Sequence, residues 1–288
     1  MALSAELPLV IVNVQRGGPS TGLPTKPEQS DLMFALYGRH GESPLPVIAA
    51  KSPSHAFYAA YEASRIALKY MTPVVLLTDG YLANGSEPWK IPDVESMEPI
   101  DVQFVDGVKE GEEFMPYKRD EDTLSRPWAI PGVPGLEHRV GGLEKAENTG
   151  HVSYDPDNHQ RMVELRQEKV DRIQNDIAKT EVFGEENGDV LILSWGGTYG
   201  SCRSAVETLH DQEKSVSHVH VRWISPLPKD LGEIIIKFKN VLIPEINMGQ
   251  LIKIIRSEYL VDAKGLNQVN GKPISASRIV EKVNEMVG

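Results

Sequence analysis

Arg16 follows a short apolar run and stands inside Gln15-Arg-Gly-Gly-Pro-Ser-Thr-Gly-Leu-Pro-Thr25. Ligands of open α/β sheets gather beyond the carboxyl ends of strands, and a guanidinium offers a planar fork matched to a carboxylate. Three glycines in the loop let backbone come close to a bound molecule. The segment therefore suits a small anion. A Gly/Pro/Ser turn with a surface arginine accounts for the same residues. A phosphate-cradling P-loop is not supported, because Gly-x-x-x-x-Gly-Lys-Ser/Thr is absent.

Two further turns carry polar groups at strand ends. Trp195-Gly-Gly-Thr-Tyr-Gly-Ser201 could hold a phosphate on its amides at a helix N-terminus, or could simply be a tight turn under a closely packed helix. Glu245-Ile-Asn-Met-Gly-Gln250 has the spacing of a capping box, Asn247 with Gln250, with a polar interface as the other reading. In Ser153-Tyr-Asp-Pro-Asp-Asn-His159, Asp155 followed by Pro156 reads as a helix cap rather than a metal site. His55, His138 and His151 are scattered with no nucleophile at recognisable spacing, so a serine or cysteine hydrolase has no support.

The elements that must position these segments alternate in type. Leu7 to Val14 reads as a strand buried on both faces, followed by a strand at Val47 to Ala50. A helix capped near Ser52 carries Phe57, Tyr61 and Leu68 on its apolar face, and Val74 to Thr78 is the next strand. That order is a βαβ pattern and implies a parallel α/β sheet. From about Glu87 to Gly150 prolines and glycines accumulate and periodicity fades, which predicts an arm wrapped over another surface or a lid. A connecting helix runs from Asp155 to about Ile177 with Met162, Leu165, Val170 and Ile173 inward. Beyond it lies a doubly wound lobe: strand 190–194, helix through Cys202 to Leu209, strand 216–224, helix 230–238, strand 241–243, and helices 248–260 and 276–286. The expected division is residues 1–150, 151–180 and 181–288.

Composition bounds the function. The chain has 288 residues, with 30 Lys plus Arg against 41 Asp plus Glu and a formal charge of −11, a balance that disfavours nucleic acid and anionic lipid. Its one cysteine, Cys202, cannot supply the thiolates of an iron–sulfur cluster. No apolar stretch approaches a membrane span, and no secretory leader is evident, so the default compartment is the cytoplasm.

Seven stretches in order resemble the alpha subunits of 2-oxoacid:ferredoxin oxidoreductases, above all the 2-oxoglutarate type. They are residues Gln15 to Thr25, Asp79 to Asn84, Glu87 to Pro92, Arg126 to Gly132, Gly135 to Arg139, Ser153 to His159 and Pro244 to Gln250. The resemblance implies an α/β chain made of part of a pyrimidine-binding-type domain (1–150, with its arm) and a transketolase C-terminal-like domain. It also implies oxidative decarboxylation of 2-oxoglutarate with coenzyme A to succinyl-CoA and carbon dioxide, electrons passing to ferredoxin.

In that family thiamine diphosphate lies at the interface with a beta subunit that holds magnesium and the iron–sulfur cluster. Arg16 and Thr25 match the family positions that recognise the 2-oxoacid, and Gly17, Gly18, Ser20 and Thr21 belong to the same substrate- and cofactor-facing loop. The family's upstream Tyr-Pro-Ile-Thr-Pro-Ser-type segment and its coenzyme-contacting glutamate are not matched. The expectation is a chain cut or split within its first domain, with a noncatalytic assembly subunit, or a chain acting on pyruvate or a branched-chain 2-oxoacid, as alternatives.

Overall fold

The computed structural model describes residues 1–288 as two α/β lobes joined by a long arm and a helix. The first lobe begins with α1 (Ala2–Ala5) and β1 (Leu9–Gln15), then α2 (Leu32–Tyr37), β2 (Val47–Ala49), α3 (Pro53–Tyr70), β3 (Pro73–Asp79) and α4 (Gly80–Asn84). Ser52 caps α3 by accepting from the His55 amide, with Pro53 in the first turn. The buried face of α3 is formed by Ala59, Ala63, Ile66, Ala67 and Tyr70. Phe57 is exposed and packs 5.4 Å from Trp89 of the arm. Small alanines let the helix sit close on the sheet, which displaces the expected aromatic face outward.

β1 departs from expectation. It pairs in parallel with β3 alone, at the edge of a sheet ordered β1-β3-β2 and closed on its far side by a strand from the second lobe. Ile11, Val12 and Val14 are exposed, while Val10 packs against the core under α3 and Gln15 is buried, so the strand is covered only in part. An apolar sequence alone could not reveal this, because burial depends on which elements come to cover it.

The arm contains the short parallel pair β4 (Phe104–Val105) and β5 (Trp128–Ala129) and otherwise follows an irregular path. It is tied down at α1. Arg126 donates to the Ala5 and Glu6 carbonyls, Tyr117 Oη donates to the Ala5 carbonyl, and Arg119 and Lys169 both pair with the buried Glu6 carboxylate. The arm thus lies on the chain's own first turn and reaches α3 through Glu87 and Trp89. Helix α5 (Pro156–Arg172) opens as predicted, with Asp155 accepting from the Asn158 amide at 2.9 Å, and buries Met162, Leu165 and Val170.

The second lobe contains β6 (Val182–Phe183), β7 (Gly188–Ser194), α6 (Tyr199–Asp211), β8 (Val216–His220) and β9 (Trp223–Ser225). It continues with α7 (Leu231–Ile235), β10 (Phe238–Glu245), α8 (Leu251–Tyr259), β11 (Lys264–Asn267) and α9 (Ala276–Val287). Its sheet has the order β11-β10-β7-β8-β6, parallel except for β6. The segment 216–224, read from sequence as one strand, breaks after His220. β8 stays in this sheet, while β9 crosses over and pairs antiparallel with β2 of the first lobe. One core consequently runs through both lobes, including Val47 and Leu77 with Leu191, Trp195 and Ile243.

Candidate functional site

The loop after β1 is shaped by its own backbone. Gly22 has φ +51, and a side chain there would place its Cβ 1.9 Å from the Gly17 carbonyl oxygen, so the turn requires glycine. Ser20 and Thr25 also adopt positive φ. The Gly17 amide donates to the Lys26 carbonyl at 3.0 Å and the Gly18 amide to Glu28 Oε2 at 2.8 Å, which folds the segment back on itself.

Arg16 is exposed, and its guanidinium donates to the Thr21 carbonyl at 2.7 Å without a carboxylate partner. It forms one wall of a cleft of about 670 Å³ together with Gly17, Gly18 and Ser20, faced by Asn247, Met248 and Gln250 of the second lobe. Thr21 contributes its carbonyl to Arg16, and Thr25 is exposed at the end of the loop, away from this wall. Arg16, Gly17, Gly18 and Ser20 line this cleft, and Thr21 and Thr25 do not.

The facing wall is held by Glu245, which the sequence places in a polar turn without giving its role, and by Gln29. Glu245, fully buried at the end of β10, accepts from Trp195 Nε1 at 3.1 Å, from Asn247 Nδ2 at 3.0 Å, and from the Leu251 and Ile252 amides at the start of α8. A buried carboxylate at a helix N-terminus is stabilised by both the amides and the helix dipole. Gln29 bridges the lobes: its Nε2 donates to the Trp195 carbonyl at 2.6 Å and its Oε1 accepts from the Ile246 amide at 3.0 Å.

Asn247 accepts from the Gly249 and Gln250 amides, as a cap would. Gln250, however, turns to the first lobe, accepting from the Met33 amide and donating to the Ser30 carbonyl, so the interface reading holds for it and the reciprocal box does not form.

The Trp195–Ser201 turn is also used internally. Asp79 Oδ1 caps α4 through the Tyr81 and Leu82 amides, while Oδ2 accepts from the Gly197 amide at 3.0 Å. Burial pushes the Asp79 carboxyl above its usual range, and these amides oppose that shift. A Cβ at Gly197 would meet Asp79 Oδ2 at 2.5 Å, so the glycine serves a lobe-to-lobe contact. That contact occupies an amide the phosphate-binding alternative needs. Cys202 lies under the same turn, its thiol pushed up to about 12 by burial.

Residues 1–155 match the family described as pyruvate flavodoxin/ferredoxin oxidoreductase, thiamine diphosphate-binding. The chain belongs to this family. Among similar proteins, the 2-oxoglutarate oxidoreductase subunit KorA of Mycobacterium tuberculosis is 49% identical over 97% of this chain and 42% of its own length. The 2-oxoglutarate synthase subunit KorA of Archaeoglobus fulgidus is 30% identical over 98% of this chain and 72% of its own length. A solved 2-oxoglutarate:ferredoxin oxidoreductase from Magnetococcus marinus, with 2-oxoglutarate, coenzyme A and succinyl-CoA bound, superposes with a TM-score of 0.94 at 35% identity. That match covers 100% of this chain and 50% of the other. The chain therefore spans about half the length of several of the relatives it matches.

No group of three or more His, Cys, Asp or Glu side chains is placed to hold a metal ion on protein ligands alone. Of the two carboxylates lining the Arg16 cleft, Glu28 is occupied by the Gly18 amide and Asp31 by Asn13 Nδ2. The cleft offers a cation and backbone, which suit an anionic group.

Proposed function

We propose that this chain is the alpha partner of a thiamine-dependent 2-oxoacid oxidoreductase and supplies the substrate-recognition wall of a site completed by a beta subunit. The reaction is 2-oxoglutarate plus coenzyme A to succinyl-CoA and carbon dioxide, with two electrons passing to ferredoxin. Magnesium, the diphosphate and the iron–sulfur cluster belong to the partner. Residues 1–150 act as part of a pyrimidine-binding-type domain and 181–288 as a transketolase C-terminal-like domain, joined by 151–180.

In this reading Arg16 grips a substrate carboxylate with its fork, Thr25 turns in to hydrogen-bond the substrate, and Gly17, Gly18, Ser20 and Thr21 form the loop that brings them to it. A dianion in an acidic protein needs a fixed charge of that kind, and lysine lacks the bidentate geometry. The observation that carries the reading is the carboxylate-free Arg16 guanidinium on the cleft of a chain that superposes along its whole length on a 2-oxoglutarate-bound oxidoreductase.

The test is reconstitution of the full chain with the beta subunit and any separately encoded upstream half, followed by 2-oxoglutarate-dependent dye reduction. Arg16→Ala should raise KM for 2-oxoglutarate about tenfold or more, and Arg16→Lys should recover only part of it. An unchanged KM rejects the role. Preference for pyruvate or a branched-chain 2-oxoacid would reassign the substrate, and a complex that assembles without turnover would make this chain an assembly subunit.

A further inference from the structure

The carboxyl ends of strands from both sheets converge on a second cavity, of about 320 Å³, which shares no lining residue with the Arg16 cleft. Lys51 follows β2, His220 ends β8, Arg203 projects from α6, and Arg222 lies in the crossover to β9. Such convergences are where ligands of parallel α/β sheets collect.

The wall is cationic within a chain of net charge −11. Arg203 shares its charge with Glu207 at 2.9 Å, whereas neither Lys51 nor Arg222 has a carboxylate within ion-pair distance. Lys51 instead lies over the Tyr199 ring at 4.8 Å, and Glu181 is the sole carboxylate on the wall. Burial, with Arg222 and Arg203 nearby, pulls the Lys51 ammonium below its usual range against the opposing pull of Glu181 and Glu87. Gathering unpaired cations is unfavourable unless something anionic occupies the space between them.

The floor of the cavity is a neutral polar relay. Ser194 Oγ lies 2.6 Å from His218 Nε2 and 2.7 Å from His220 Nδ1, and burial drives both imidazoles far down the pH scale, His218 to about 3. One hydroxyl proton cannot serve both rings as donor, so at least one imidazole donates to Oγ. His220 Nε2 is buried with no partner at all.

We propose that this cavity binds a phosphate-bearing small molecule, its phosphate held by Lys51, Arg222 and Arg203, and its organic part lying against Val182 and the edge of the Phe183 ring that Arg203 covers. A phosphate monoester carries roughly −1.5 to −2 at neutral pH, which balances the surplus cations better than a single carboxylate does. Guanidinium forks pair with phosphate oxygens in bidentate fashion. The site is separate from the proposed substrate cleft and its test does not depend on turnover.

The experiment titrates the full chain, labelled with 15N-histidine, with inorganic phosphate and, separately, with succinate as the carboxylate arm, at constant ionic strength. Phosphate should give saturable shifts of the His218 and His220 ring nitrogens, and succinate should bind about tenfold more weakly. Arg222→Gln and Lys51→Gln should each weaken phosphate binding about tenfold while the far-UV spectrum and Tm stay at the unsubstituted values. If Arg222→Gln misfolds, Lys51→Gln and the charge-retaining Arg222→Lys decide the matter, the first losing and the second keeping most of the binding. No saturable shift at about 20 mM phosphate, equal binding by the folded variants, or tighter binding of succinate would each overturn the proposal.

Discussion

Glu6 sits between two buried cations, with one carboxylate oxygen on Arg119 and the other on Lys169. Burial disfavours its charge, but Lys169 and Arg119 together hold the carboxyl below its usual value. Burial takes the Lys169 ammonium down to about 8 even against the pull of Glu6. Removing one partner of such a set leaves buried charge without compensation and costs about 3–5 kcal/mol. Glu6→Gln should therefore lower the urea midpoint of the full chain by the equivalent of about 3 kcal/mol or more. A midpoint within error of the unsubstituted chain would show that the cluster is not structural. Nothing in the sequence marks Glu6, because its partners lie 113 and 163 positions away. Arg16 differs: its place after a strand and among glycines is local information, readable without a fold.

At the level of elements, the loop from Gln15 to Thr25 and the strand that carries it behave differently. The loop's shape hangs on Gly22, where any side chain would collide with the Gly17 carbonyl. Gly22→Ala should raise KM for the 2-oxoacid in the reconstituted complex by about tenfold while Tm moves by only a few degrees, since the loop is exposed and adds little to the core. Steady-state kinetics beside a thermal melt checks both halves of that statement. β1 presents Leu9, Ile11, Val12 and Val14 to solvent along an unpaired edge. Exposed apolar edges template strand addition, and a charge on such an edge blocks it. Val12→Lys should reduce concentration-dependent association in sedimentation velocity without lowering Tm, and equal association in the variant would show that the edge is not adhesive. The Ser52 cap marks the start of helix α3, but its buried face is built from Ala59, Ala63, Ile66, Ala67 and Tyr70 rather than from the expected Phe57.

Across the whole molecule, the lobes are joined by β9 crossing to pair with β2, Gln29 between Trp195 and Ile246, Gln250 on Met33 and Ser30, and Asp79 on the Gly197 amide. The histidines packed near this junction set the response to acid. His55 is lowered to about 4 and His218 to about 3 by burial, and His220 is lowered as well. The unfolded chain, with histidines near 6.5, binds more protons than the folded one below that pH, so their stabilising contribution is present above about 6.5 and is lost as pH falls. Asp79, raised by burial, works in the opposite direction at the acid end. Unfolding free energy should fall between pH 7 and pH 5 by up to about 1.4 kcal/mol per pH unit per histidine, and His55→Gln should flatten the slope. A pH-independent midpoint over that range would refute the linkage. The sequence by itself determined the α/β alternation, the capped helices, the arm and the glycine-rich loop with its arginine, since each follows from neighbours a few residues apart. Only the tertiary structure decided that β1 is an open edge, that one predicted strand divides between two sheets, and that Glu6, Glu245 and the Ser194–His218–His220 relay are buried and connected. Those facts depend on burial and pairing between distant segments, and such terms exist only once the chain has closed on itself.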